Sequence, residues 1–240
     1  MMKQRYQITE NKALVRGVYQ MELAGDTWQI TAPGQFINIR LEGFYLRRPI
    51  SICHWEKGSL VIIYKTVGEG TRALAGMKPG QELDILCPLG NGYDLCKIPK
   101  DPVIVGGGAG VPPMYGLTKA LISRGMRPQV ILGFNTKDEV FLEDAFKDLG
   151  ASVRVTTIDG SYGTRGFVTH AMDAAAYVCA CGPEPMLRAV WEKAENGQFS
   201  FEARMACGFG ACMGCSCKTK YGAKRICKEG PVLEKEEILW

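Results

Sequence analysis

The sequence has no apolar run approaching the roughly 20 residues that a membrane-spanning helix needs. Its opening, MMKQRYQITE, is polar and lacks the apolar stretch of an export signal. Strong charge of one sign is missing too. The formal net charge is only +4, and lysine and arginine are scattered, which excludes partners held by a massed basic face, nucleic acid foremost. Histidine is scarce, with two in the chain, and a lone His54 after a strand receives no role. Hydrophobic content of 46% and charged content of 22% are ordinary for a soluble globular protein, and 240 residues suffice for about one or two domains with real cores.

Cysteine is abundant, with ten residues. Without an export signal, these point to a reducing, cytoplasmic setting in which thiols serve metals. Cys53, Cys87, Cys96, Cys179 and Cys181 have apolar or strand-like neighbours and read mostly as small core residues. The others gather in A-C-G-F-G-A-C-M-G-C-S-C, residues 206–217. Cys207, Cys212 and Cys215 form a C-x4-C-x2-C run, and Cys227 follows twelve residues after Cys215. That is the plant-type spacing for a [2Fe-2S] cluster. Thiolates that converge on a small cluster from one loop need a tightly curled backbone. Gly208, Gly210 and Gly214 supply turns and let amide N–H groups approach sulfur. Cys217 is expected to be a spare. A structural zinc site built from the same cysteines is the competing reading, although zinc knots more often pair two C-x2-C units.

Residues 1–97 alternate like β structure. Strands are expected at Ala13–Leu23, Gln35–Leu41, Ser59–Val67 and Glu82–Cys87, punctuated by Gly and Pro-Gly turns. Short strands without a long helix predict a small antiparallel barrel. A short helix is expected at Thr71–Ala75, after Gly68-Glu69-Gly70-Thr71. A glycine turn opening a helix offers amides to phosphate, and an arginine, two of which stand in Arg47-Arg48-Pro49-Ile50-Ser51 at the start of a strand, matches a pyrophosphate with two hydrogen bonds.

The pattern changes at the proline-marked Lys97–Pro102. Strands at Val103–Val105, Gln129–Phe134, Val153–Thr157 and Tyr177–Ala180 then alternate with helical stretches at Met114–Arg124, Phe141–Leu149, Val168–Ala175 and Glu184–Ala194. This predicts a parallel sheet flanked by helices. Gly106-Gly107-Gly108-Ala109-Gly110-Val111-Pro112-Pro113 departs from G-x-G-x-x-G, because Pro113 stands where the third glycine belongs, and no Gly-Lys-Ser/Thr makes it a Walker A loop. Its strand–turn–helix setting still suits a pyrophosphate. The expected division is 1–97, 98–200 and 201–240.

These motifs, in this order, resemble the ferredoxin reductase superfamily: an R-x-x-S strand and G-x-G-T turn in a flavin barrel, then G-G-x-G-x-x-P and C-G-P turns in a pyridine-nucleotide domain. The resemblance implies that Arg48, Pro49, Ile50, Ser51, Ile63, Tyr64, Lys65, Gly70 and Thr71 hold FAD. It implies that Gly107, Gly108, Gly110, Pro113, Cys181, Gly182, Pro183 and Met186 hold the nicotinamide nucleotide. After the second strand of that domain come Lys137, Asp138 and Glu139, one lysine among two acids, which favours NAD over NADP.

Over its whole length the chain is similar to the electron-transfer subunits of dihydroorotate dehydrogenase B, above all in M-A-C-G-F-G-A-C-M-G-C-S-C and C-K-E-G-P-V. That family implies Cys207, Cys212, Cys215 and Cys227 as [2Fe-2S] ligands. It also implies a separate FMN-containing catalytic subunit in a heterotetramer, and electron flow from FMN through the cluster and FAD to NAD in pyrimidine biosynthesis. A diaphorase-like subunit of a sulfhydrogenase or of a ferredoxin–NADP reductase complex would share the motifs. A zinc-stabilised binding module without redox activity is the alternative from another class.

Overall fold

The first strand forms where the sequence looks most polar. In β1 (Met2–Val15), Tyr6 and Ile8 point into a core while Arg5, Gln7 and Thr9 face water, an alternation of period 2. The computed structural model describes residues 2–240. The expected single strand at Ala13–Leu23 is instead a tight hairpin. Gly17, at φ +77, turns the chain from β1 into β2 (Val18–Ala24). Next come β3 (Phe36–Arg40), β4 (Arg48–Glu56), β5 (Ser59–Lys65), the helix α1 (Glu69–Ala75) and β6 (Glu82–Leu89). The six strands close into an antiparallel barrel in the order β1-β2-β5-β4-β3-β6. Ile37, Ile39, Ile52, Leu60, Ile62 and Ile85 fill its interior.

The second unit runs β7 (Val103–Gly107), α2 (Val111–Ser123), β8 (Gln129–Phe134), α3 (Glu143–Asp148), β9 (Ser152–Thr157), β10 (Thr164–Arg165), β11 (Ala175–Cys181), α4 (Glu184–Lys193) and β12 (Ala194–Ser200). The helix expected at Val168–Ala175 is only a 3-10 turn at Val168–His170, and the chain then goes straight into β11. The order β10-β9-β8-β7-β11-β12 is parallel throughout. Strand order reverses between β7 and β11, and in open α/β sheets ligands bind beyond the carboxyl ends of the strands at that point.

The C-terminal segment contributes a hairpin, β13 (Ser216–Thr219) with β14 (Gly222–Arg225), and then β15 (Val232–Glu234). β15 pairs antiparallel with β12, Ser200 facing Val232, and so becomes the edge of the parallel sheet. Asn91, just past the barrel, fastens this return: its side-chain amide donates to the Glu229 and Val232 carbonyls and accepts from the Val232 N–H.

The barrel and the sheet are joined by shared apolar packing. Val18, Cys53 and Ile63 of the barrel pack with Val111, Met114 and Leu117 of α2. Helix and strand approach so closely that a Cβ on Gly116 would lie 2.3 Å from the Cys53 carbonyl oxygen. Phe36 and Leu89 of the barrel share a second core with β11, β12 and the buried Cys215 and Cys227.

Candidate redox site

The thiols of the C-terminal loop stand in two pairs. Cys207 and Cys212 hydrogen-bond to each other on the outer side, Cys212 being exposed. Cys215 and Cys227 are buried, and the Cys227 N–H donates to Cys215 Sγ at 3.4 Å. Three further amides point at sulfur: Ala211 and Cys212 at Cys207 Sγ (3.3 and 3.4 Å), and Gly214 at Cys212 Sγ (3.4 Å). Burial alone would raise the Cys207 thiol, but the N–H groups of Cys212 and Phe209, the Cys212 thiol and the Ala211 N–H outweigh it and bring it down to about 6. Burial and the facing Cys215 thiol push Cys227 up to about 12.

Among the described residues, no three or more His, Cys, Asp or Glu side chains close around a point suited to a metal ion. Two thiol pairs, each furnished with amide donors, match the two-per-iron demand of a four-cysteine [2Fe-2S] centre. The backbone curls as expected at Gly208 (φ +76) and Gly210 (φ +90), but the third left-handed residue is Met213 (φ 61) rather than Gly214. Arg225 braces the loop from behind, donating to the Gly210 carbonyl at 2.6 Å and forking onto Glu229. This pair holds the Glu229 carboxyl down at about 2. Cys217 lies on β13, half-buried against the second core and outside both thiol pairs.

A crevice opens between barrel and sheet. Pro49 and Ser51 of β4 and Phe36 of β3 form one wall, and Gly107, Gly110, Cys181, Gly182 and Pro183 the other. The two nucleotide-type turns touch: a Cβ on Gly110 would sit 2.2 Å from the Cys181 carbonyl oxygen. Burial pushes the Cys181 thiol up to about 12, so it stays neutral. The floor is the segment Phe201–Met205, including Glu202, which leads from β12 to the thiols. Sequence reasoning has nothing to find there, because the segment carries neither a motif nor a period and acquires its position from β12. Farther along the barrel, Arg48 lies against Gly70 so tightly that a Cβ there would fall 2.1 Å from Arg48 Nε, and its guanidinium sits 4.7 Å over the Phe44 ring. The two flavin-type motifs are thus neighbours in space.

Several expected residues serve the scaffold instead. Ile50 pairs with Ile37 and its half-buried side chain packs on the barrel core. Tyr64 is buried in the barrel and donates to Asn11 Oδ1 at 3.0 Å. Ile63 packs between barrel and α2, although with Tyr64 and Lys65 it borders a small cleft beside Gly108. Thr71 Oγ1 accepts from the Val67 and Gly68 amides and donates to the Gly68 carbonyl, so its hydroxyl shapes the turn rather than facing outward. Pro113 is buried at the start of α2, and Met186 fills the space beside Gly107 and Gly182. Lys65 reaches across to Glu139 at 3.5 Å, and the Asn135 amide donates to Glu139 at 2.7 Å. This places a carboxylate on the rim beyond β8.

A barrel with an R-x-x-S strand, a parallel sheet with its two turns at the reversal of strand order, and a four-thiol loop beside their crevice define a ferredoxin-reductase-like oxidoreductase with an iron–sulfur segment. Residues 202–239 match the iron-sulfur cluster binding domain of dihydroorotate dehydrogenase B. The dihydroorotate dehydrogenase B (NAD(+)) electron transfer subunit of Fusobacterium nucleatum subsp. nucleatum is 44% identical over 244 residues, covering 94% of each chain. That of Bacillus mycoides is 39% identical over 258 residues, covering 100% of this chain and 99% of its own. Among solved structures, a chain of the NADH-dependent reduced ferredoxin-NADP oxidoreductase, described for flavin-based electron bifurcation, superposes with a TM-score of 0.88 at 29% identity, over 98% of this chain and 90% of that one. The chain belongs to the family of dihydroorotate dehydrogenase B (NAD(+)) electron transfer subunits.

Proposed function

We propose that this chain carries electrons between a [2Fe-2S] cluster on Cys207, Cys212, Cys215 and Cys227 and an FAD in the crevice, and exchanges them with NAD. The reading rests on one observation above all: the Pro49–Ser51 wall, the Gly107–Gly110 and Cys181–Pro183 turns and the chain leading to the thiols line a single cleft. A bound flavin supplies the conversion between one-electron and hydride chemistry, since a cluster moves single electrons and a nicotinamide only a hydride.

Arg48 and the Gly70 turn hold the pyrophosphate of FAD, and Pro49 and Ser51 line its ring. The amides of the Gly107–Gly110 turn and the Cys181–Pro183 turn orient the nucleotide, while the Asn135–Glu139 pair on the rim offers a carboxylate to a ribose 2′-hydroxyl and repels a 2′-phosphate, which favours NAD. Three functional units follow, at 1–97, 98–200 and 201–240, the last returning β15 to the sheet of the second. Dihydroorotate oxidation belongs to an FMN-containing partner subunit, in a cytoplasmic heterotetramer of two copies of each. Among the described residues no helix is long and apolar enough to cross a membrane.

The test is anaerobic purification. The isolated chain should be yellow-brown, should reduce an artificial acceptor with NADH, and should not turn over dihydroorotate. Its copurifying partner should contain FMN that dihydroorotate bleaches. A hydrogenase-type partner would transfer the reading to the diaphorase-like subunits, and a colourless zinc protein would end it.

A further inference from the structure

The thiol loop and the barrel wall meet at one side chain, Asn38. It lies on β3, two residues from Phe36, and pairs across the ladder with Pro49, so it shares the face that lines the crevice. Its side chain is buried, with 1% exposure. Nδ2 donates to the carbonyl oxygen of Cys207 at 3.4 Å. The next residue, Gly208, comes so near that a Cβ on it would be 2.3 Å from Asn38 Nδ2. The other end of the carboxamide, Oδ1, is buried without a hydrogen-bond partner among the described residues. A buried amide left half satisfied is destabilising, and an apolar residue of similar size would avoid that cost. The backbone beneath is fixed independently, because Arg47 donates to the Asn38 carbonyl and forks onto Asp84.

We propose that Asn38 is the positioning residue for electron transfer between the cluster and the flavin: its carboxamide pins the Cys207–Gly208 backbone to the barrel strand paired with the flavin wall. This rests on the cluster and FAD assignments above. The contact fixes the separation and orientation of the two redox groups and forms a short bridge of hydrogen-bonded and packed atoms between them. It takes no part in hydride exchange, which occurs at the opposite wall of the crevice. The exchange it serves is balanced: NADH leaves as NAD+ and a proton with its two electrons on the flavin, and the electrons cross the contact one at a time, each reducing an oxidised cluster by one.

The experiment uses the full chain in its native complex, anaerobically, with NADH as reductant. Flavin bleaching is followed by stopped-flow absorbance and cluster reduction by freeze-quench electron paramagnetic resonance. Two variants remove the contact at Asn38: Asn38→Leu deletes the donor at similar volume, and Asn38→Ala deletes it together with the rest of the side chain. In both, the first phase of flavin bleaching, that of the FAD which takes the hydride, should keep its wild-type rate and iron content should be retained, while the later bleaching of the partner's flavin should slow with the cluster. Cluster reduction should slow severalfold, because electron transfer between two fixed groups falls off steeply as their separation grows. Asn38→Gln, which restores a donor amide, should recover part of the rate. Wild-type cluster-reduction rates in both variants overturn the proposal. So does slowing in step with the first phase of flavin bleaching, and so does loss of iron, which would make the contact one of loop folding. Absence of cluster or flavin from the wild-type complex would instead defeat the parent assignment, before any variant is compared.

Discussion

At the scale of single residues, burial and amide donors assign different tasks to the cysteines. Cys215 is buried in the inner thiol pair, whereas Cys217, two positions on, lies outside both pairs. Cys215→Ser should therefore abolish the visible and paramagnetic signature of the cluster while FAD stays bound. Cys217→Ser should leave iron content and spectrum unchanged. Iron analysis together with flavin release by denaturation checks both. His54 makes a second case. Its ring lies 5.4 Å from Tyr115 of α2, and its Nδ1 is buried without a partner among the described residues. Burial first, and Lys119 second, lower its pKa from 6.5. A group held neutral in this way contributes stability that is complete above 6.5 and is lost as pH falls through the lowered folded value. The thermal midpoint of the wild type should drop as pH passes below 6.5, and His54→Gln should flatten that drop. The C-x4-C-x2-C pattern was legible because its spacing alone calls for a tightly curled loop. His54 was not, since its significance comes from α2, more than sixty positions away in the chain.

At the scale of elements, the two glycine turns work as one unit. The loop after β7 and the loop after β11 leave adjacent strands and press together at Gly110 and Cys181. Gly110→Ala would place a methyl group against the Cys181 carbonyl and drive the turns apart. Flavin reduction by NADH should fall by about tenfold or more, with FAD content preserved, in a stopped-flow titration of NADH. The parallel strands were readable from their continuous apolar runs, and α4 from its start after Pro183. Most of β1 is hard to see in the sequence because only one face of it is apolar, and an N-terminal stretch with Tyr6 and Ile8 among polar residues looks like a solvated arm. The hairpin at Gly17 resembles one strand because the alternation continues through the turn. Where the side chains of Tyr64 and Thr71 go was not legible, since strand register turns the first into the barrel and turn closure bends the second back on the backbone.

At the scale of the whole molecule, the C-terminal segment is part of the sheet as well as the bearer of the thiols. A chain cut after Ser200 would lose β15 and Cys215 and Cys227 from the second core, and would expose the β12 edge. Such a truncation should be poorly soluble and should show faster amide exchange along β12, whereas the full chain depleted of iron should keep native exchange there. Hydrogen-exchange mass spectrometry on the two proteins separates these outcomes.

The pairing of Ser200 with Val232 has one more consequence. Everything between them is an excursion whose two feet stand side by side on neighbouring strands. Damage at the sulfurs, by oxygen or by a chelator, slackens that excursion and leaves the ground it stands on intact. The emptied subunit would thus persist as a vessel ready for repair, able to accept fresh iron and sulfide in place.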